Sequence, residues 1–247
     1  MEDQLIAPFR LVGHLINLLY PSTCPFCEAR LNHFEQILCD PCRQKLLPED
    51  TWRCALCGAT GGGPRPASGH PCRGCPSPDA FYKGVLSCSH YNDLTASCVH
   101  SFKYGRRMEM GSVMADLMAA RLTEPLLALE DRVRWIVPVP LHWTRHSVRG
   151  FNQSRILAER LSQTLRMPVV SALRRVRRTK MQARIPREKR GENVRGAFAV
   201  AKMIRDPLPG VLLVDDVVTT AHTINECARI LTLAGAPQVW AASFGRA

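Results

Sequence analysis

The sequence predicts an α/β protein built on a parallel sheet, with a small metal-dependent module ahead of it. Two observations carry that prediction. From about residue 81 onward, short apolar strands alternate with helical patterns, as in βαβ units. Before that point, eight of the 11 cysteines fall into four Cys-x-x-Cys pairs within a segment rich in proline and glycine. A chain of 247 residues suits one large domain or two small ones at ~100–200 residues each. With 46% hydrophobic and 22% charged residues, a disordered or fibrous chain is excluded. No run of ~18 uncharged apolar residues exists, which excludes a transmembrane helix. The acidic opening Met1-Glu2-Asp3-Gln4 is wrong for a secretory signal, so the cytoplasm is the expected location.

Three segments follow from the patterning. In residues 1–21, Leu5, Phe9, Val12, Ile16 and Leu19 recur at helical spacing. This predicts an amphipathic helix, expected to dock on the protein's own core, with partner binding as the alternative. Residues 22–80 hold the pairs Cys24/Cys27, Cys39/Cys42, Cys54/Cys57 and Cys72/Cys75, separated by gaps of 11, 11 and 14 residues. Each pair brings two thiolates to one ion from a single turn, and two such turns complete a tetrahedral site. Two structural zinc ions are therefore expected. Sequential pairing makes each half a compact knuckle–hairpin–knuckle unit; interleaved, cross-braced pairing is the alternative. His33 and His70 lie near knuckles but read as surface histidines, since four cysteines already fill each site. A segment with so many prolines buries little apolar surface, so metal binding must supply its folding energy.

Residues 81–247 form the α/β domain. Strands are predicted at 81–90, 134–140, 211–214 and 238–243, and helices at 108–129, 153–165 and 223–234, the last closed by Gly235. Cys227 falls in a helical run and reads as a small buried hydrophobe. In parallel sheets, ligands sit beyond the carboxyl ends of the strands.

Charge is concentrated in one place. The chain carries 33 Lys and Arg against 21 Asp and Glu, net +12. Residues 145–205 alone hold 17 basic and 3 acidic side chains, so the remainder is close to neutral. Such focusing indicates a surface for a polyanion.

The sharpest site follows the third of the predicted strands. Val211-Leu212-Leu213-Val214 delivers Asp215 and Asp216, then Val217-Val218 and the turn Thr219-Thr220-Ala221-His222-Thr223 that opens a helix. Main-chain N–H groups at that helix start, with the threonine hydroxyls, make an anion cradle. Paired carboxylates beside it suit vicinal hydroxyls, or a magnesium held partly by the ligand. Phosphate and diol on one small molecule describe a ribose 5-phosphate. A plain helix N-cap at Thr219 or Thr220 is the competing account.

This stretch resembles the phosphoribosyl-pyrophosphate (PRPP) loop of type I phosphoribosyltransferases, whose signature is a hydrophobic strand, Asp-Asp, and Thr-Thr-Gly-x-Thr. The resemblance implies that Asp215 and Asp216 hold the ribose hydroxyls and that Thr219 to Thr223 bind the 5-phosphate with Mg2+ present. Ala221 stands where that family has glycine. A turn needing positive φ costs alanine roughly 1–2 kcal/mol. His222 either adds a donor to the phosphate or faces solvent. More of the chain is similar to one branch of the superfamily, the competence ComF family. Its marks here are Phe102-Lys103-Tyr104-Gly105, Ile136-Val137-Pro138-Val139-Pro140, Arg149-Gly150-Phe151-Asn152-Gln153-Ser154, the series Thr179, Gln182, Arg190, Asn193, and the N-terminal cysteine ribbon.

The resemblance covers nearly all of residues 22–247. It implies a type I phosphoribosyltransferase-like parallel sheet with a zinc-ribbon appendage, a role in DNA uptake during natural transformation, and a helicase partner acting on single-stranded DNA. By analogy, Arg149 and Gly150 form a pyrophosphate loop. The run Arg174, Arg175, Arg177, Arg178, Lys180, Arg184, Arg187, Lys189 and Arg190 corresponds to the family's flexible loop, which closes on PRPP or binds a nucleic-acid backbone. Aromatic residues make up 6% of the chain and none lies in this run, which favours backbone contacts over base stacking. Two functions are therefore expected: a PRPP- or nucleotide-binding accessory of DNA uptake, or an active transferase passing ribose 5-phosphate to a nucleobase-like acceptor.

Overall fold

The computed structural model describes residues 22–31, 37–47, 52–54, 57–61, 75, 79–104, 108–129, 131–141, 150–179, 185–186, 189–202 and 208–247. The predicted 1–21 helix, His33, His70, Cys72, Arg149, Lys180, Gln182, Arg184 and Arg187 lie outside them. The chain forms two compact units, residues 1–48 and 49–247.

In the first unit, an antiparallel bridge between Thr23 and Arg30 closes a turn around Cys24 and Cys27. The Cys24 N–H donates to Ala29 O, and Glu28 N–H donates to Cys24 O. Helix α1 (Asp40–Leu46) starts from Cys39 with Pro41 in its first turn, where its missing N–H is not needed. Leu31, Leu38 and Leu46 are buried.

The second unit opens on a copy of that knuckle. Strands β1 (Trp52–Arg53) and β2 (Thr60–Gly61) pair antiparallel. The Cys54 N–H donates to Ala59 O and Gly58 N–H to Cys54 O, the same pattern thirty positions on. Glu28 and Gly58 occupy equivalent places, and both have positive φ, 60° and 68°. Gly58 is the position that tolerates no side chain: an added Cβ would lie 2.7 Å from Val85 O and 2.6 Å from Ser87 Oγ. The second knuckle is thus packed directly onto a strand of the main sheet.

That sheet contains β3 (Gly84–His90), β4 (Trp135–Pro138), β7 (Val211–Val218) and β8 (Val239–Arg246) in the order β3-β8-β7-β4, all parallel. Beyond β4, the Val170 N–H donates to Ile136 O and Ile136 N–H to Pro168 O, extending the sheet by a short strand-like segment. Alternate residues face opposite sides of a strand. Val85, Val137, Leu213 and Ala241 bury one face beneath helix α6 (His222–Leu233), whose Ile224, Cys227, Ala228 and Leu231 are all buried. The other face lies under α3 (Met108–Leu127) and α4 (Gln153–Leu165), which pack on each other. Helices on both faces of a parallel sheet are the expected α/β architecture, and Cys227 is the buried hydrophobe the sequence indicates.

Four differences from the sequence reading stand out. Strand β7 continues through Asp215 and Asp216 to Val218, because its pairing with β8 persists to Val218↔Arg246. Helix α2 (Asp93–Tyr104) stands where the sequence pattern predicts no element. Asn92 starts it, with Oδ1 accepting from Thr95 N–H at 2.9 Å. The basic run begins as β5 (Leu173–Arg175), paired antiparallel with β6 (Phe198–Val200). It ends in the short helix α5 (Arg190–Val194).

Candidate functional site

The carboxyl end of β7 carries the two acids, and their side chains leave the strand on opposite sides. Asp215 Oδ1 accepts from Ser154 Oγ at 3.0 Å and from the Asp216 N–H at 2.9 Å. Asp216 Oδ2 lies 2.6 Å from Lys103 Nζ. Burial, and then the neighbouring Asp216 charge, push Asp215 from 3.8 up to about 7. Asp215 is therefore a carboxyl that titrates near neutrality, while Lys103 neutralises its neighbour.

Each partner is placed by its own element. Ser154 lies in the first turn of α4, which Asn152 caps by accepting from the Ser154 N–H at 3.2 Å. The Asn152 amide also donates to Val139 O, tying this turn to the Val-Pro-Val-Pro segment. Lys103 lies in the last turn of α2. The adjacent Phe102 is fully buried, 5.5 Å ring to ring from Phe151, and its ring fills the space where a Cβ on Gly111 would lie. Lys103 and Ser154, from motifs far apart in the chain, thus meet the two acids, while Phe151 packs on Phe102 and Asn152 caps the helix that carries Ser154.

Beyond the acids lies the threonine turn. Ala221 adopts φ 57° and ψ 6°, the left-handed conformation where the transferase family has glycine. It opens α6, and alanine offers no side-chain oxygen to cap that helix. Thr219 Oγ1 accepts a long hydrogen bond from Arg190 Nη1 at 3.4 Å. The His222 ring is half-buried rather than turned to solvent, with Nδ1 2.9 Å from Thr220 Oγ1. Burial, then the Arg190 charge, lower its pKa below the usual imidazole value. Thr223 is half-buried in the first turn of α6. A cavity of about 490 Å³ runs along α6 beside α5. Its carboxylate, Glu226, is already held by Arg229 and by the Gly196 N–H.

Gly150 is exposed at φ 82°, which favours glycine, with open space where a side chain would project. In the basic run, only some side chains face outward. Arg175 turns inward, donating to Thr179 Oγ1 and lying 5.0 Å over the Phe198 ring. Arg177 donates to the carbonyls of Asn193 and Arg195 at the end of α5. Arg190 also reaches back to Ile185 O. Arg174, Arg177, Arg178 and Lys189 are exposed.

The cysteines group sequentially. The sulfurs of Cys24, Cys27, Cys39 and Cys42 lie within 4.8 Å of one another, as do those of Cys54, Cys57 and Cys75. Tetrahedral zinc with ~2.3 Å Zn–S bonds sets sulfurs ~3.8 Å apart, and the pairs Cys27–Cys39 and Cys54–Cys75 stand at 3.4 Å. Both clusters fit structural zinc, with no open position for chemistry in the first.

Sequence reasoning gave no site role to Lys103, Ser154 or Arg246. The first two stood inside recognised motifs, but nothing local in the sequence indicates which acid each meets. Arg246, next to last in the chain, carries no motif at all.

A double zinc ribbon domain matches residues 15–78. The chain is 33% identical over 234 residues to the DNA utilization protein YhgH of Salmonella typhi, covering 90% of this chain and 97% of that protein. It is 28% identical over 229 residues to competence protein F of Haemophilus influenzae, covering 88% and 94%. Among solved structures, a purine phosphoribosyltransferase from Pyrococcus horikoshii aligns at 18% identity with a TM-score of 0.34, over 54% of this chain and 83% of that one.

Proposed function

The chain belongs to the competence ComF family, together with the DNA utilization proteins, and on that footing we propose that it binds PRPP or a related nucleotide and single-stranded DNA as an accessory of DNA uptake. The observation that carries the ligand half is the carboxyl end of β7: two acids, then a turn whose left-handed Ala221 opens an uncapped helix. In this reading Asp215 and Asp216 take the ribose hydroxyls. The turn amides, the hydroxyls of Thr219, Thr220 and Thr223, and the Arg190 guanidinium take the 5-phosphate. Gly150 lies in the loop assigned to pyrophosphate together with Arg149. Mg2+ bound with the ligand would neutralise part of its charge. The exposed Arg174, Arg178 and Lys189 suit a nucleic-acid backbone, and a helicase is the partner the family suggests.

A second reading, transfer of ribose 5-phosphate to a nucleobase-like acceptor, is favoured by one observation. Ala221 reaches the conformation that the family's glycine would supply, so the substitution does not by itself close the turn. Titration calorimetry with PRPP and magnesium tests both readings. Binding is expected in the wild type and absent in the Asp215→Asn/Asp216→Asn double variant. Equal affinity in the two proteins would remove the ribose site. Pyrophosphate release on adding nucleobases would establish transfer.

A further inference from the structure

Arg246 is almost fully buried at the end of β8, where its guanidinium donates to main-chain carbonyls. Its Nε donates to Cys57 O at 2.7 Å. Its Nη1 donates to Val218 O at 3.1 Å, to Thr219 O, and to Ala247 O at 2.6 Å. One side chain therefore joins a ligand residue of the second cysteine cluster to the first residue of the threonine turn, 162 positions away in sequence (219 minus 57). We propose that Arg246 is a positioning residue: it fixes the threonine turn to the second cysteine cluster, so that metal held there sets the geometry of the anion cradle.

The reason lies in the peptide plane. In a trans peptide the C=O and the following N–H point in opposite directions. With the carbonyls of Val218 and Thr219 drawn onto Arg246, the N–H groups of Thr219 and Thr220 point away from it. A cradle for an anion must present N–H groups and hide carbonyls; Arg246 shares the Val218 carbonyl with the Ala247 N–H and draws in the next carbonyl, that of Thr219, beyond the strand pairing. The other anchor is equally specific. Cys57 lies in the knuckle closed by the main-chain bonds Cys54 N–H to Ala59 O and Gly58 N–H to Cys54 O, and that knuckle is seated on β3 through Gly58. Lysine keeps the charge but lacks the planar fork needed to reach both anchors together.

The functional meaning of the turn rests on the proposed phosphate reading, but the coupling itself does not. The test is therefore read first without ligand, from the amide resonances of Thr219–Thr223 in 1H–15N spectra of the full chain. Those resonances are expected to shift in Arg246→Lys and in Cys75→Ser, and to return in Cys75→His, which keeps a zinc ligand. They are expected to stay in place in Cys27→Ser, which disrupts only the first cluster. Amides of α4 serve as the reference for general loosening. Unmoved turn resonances in Cys75→Ser would overturn the proposal, as would equal shifts in Cys27→Ser. If Arg246→Lys fails to fold, the Cys75 and Cys27 variants decide alone. PRPP added to the same samples should bind at least tenfold more weakly to Arg246→Lys and Cys75→Ser than to wild type. A wild type that binds no PRPP would remove the phosphate reading and leave the spectra to decide the coupling.

Discussion

Replacing Asp215 by asparagine should stabilise this protein above neutral pH. Its carboxyl is pushed from 3.8 in the free side chain up to about 7, first by burial and then by Asp216. For an acid whose pKa rises on folding, the folded state holds a proton that the unfolded chain has released. Stability is therefore lost as pH climbs from about 4 to about 7, and the full penalty applies above that. A rise of about three units corresponds to ~4 kcal/mol at ~1.4 kcal/mol per unit. Water reaching the half-buried carboxylate reduces this to ~1–2 kcal/mol. Asparagine keeps the carbonyl that accepts from Ser154 and from the Asp216 N–H while removing the charge. For a unit of this size, ~2–4 °C per kcal/mol gives a midpoint gain of ~2–8 °C at pH 8. Thermal scans of both proteins at pH 8 and pH 5 measure it. The gain should shrink by more than half at pH 5, while effects on the cysteine clusters cancel between the two proteins. A variant less stable than wild type at pH 8, or a gain that does not change with pH, would refute the reasoning.

Three further outcomes are expected. Ala221→Gly relieves a left-handed alanine worth ~1–2 kcal/mol against glycine's ~0.5–1 kcal/mol of extra unfolded freedom. The urea midpoint should thus rise by the equivalent of ~0.5–1 kcal/mol, and a fall would mean the turn is not strained. Arg174→Ala with Arg178→Ala should weaken single-stranded DNA binding and reduce its salt slope by ~1.4, at ~0.7 per lost phosphate contact; an unchanged slope places the DNA surface elsewhere. Elemental analysis should find two zinc ions per chain and one in Cys72→Ser, whereas one in the wild type would leave the second cluster without metal.

The sequence made periodic and clustered features visible and left long-range contacts dark. Four Cys-x-x-Cys pairs announce two metal sites because ligand spacing is local, and β7 and α4 announce themselves through their hydrophobic patterns. Helix α2 escaped because its buried residues, Thr95, Cys98, Val99 and Phe102, include two small polar-looking ones that dilute the apolar stripe. The continuation of β7 through Asp215 and Asp216 is a tertiary effect: pairing with β8 overrides the low strand preference of aspartate. The pairing of Asp216 with Lys103 spans more than a hundred positions, and no spacing rule connects them. The basic run misleads in a different way. Composition counts Arg175 as surface charge, but the fold turns it inward onto Thr179 and the Phe198 ring.

The seating of Gly58 on β3 also bears on how the protein fails. Among the described residues β3 is an edge strand of the sheet, and the second knuckle lies against its Val85 and Ser87. A knuckle released by zinc starvation or thiol oxidation would uncover an apolar strand edge of the kind that recruits other chains. Metal-poor cells would accordingly accumulate the protein as aggregate rather than as a soluble, inactive form, and its yield on expression would track zinc supply.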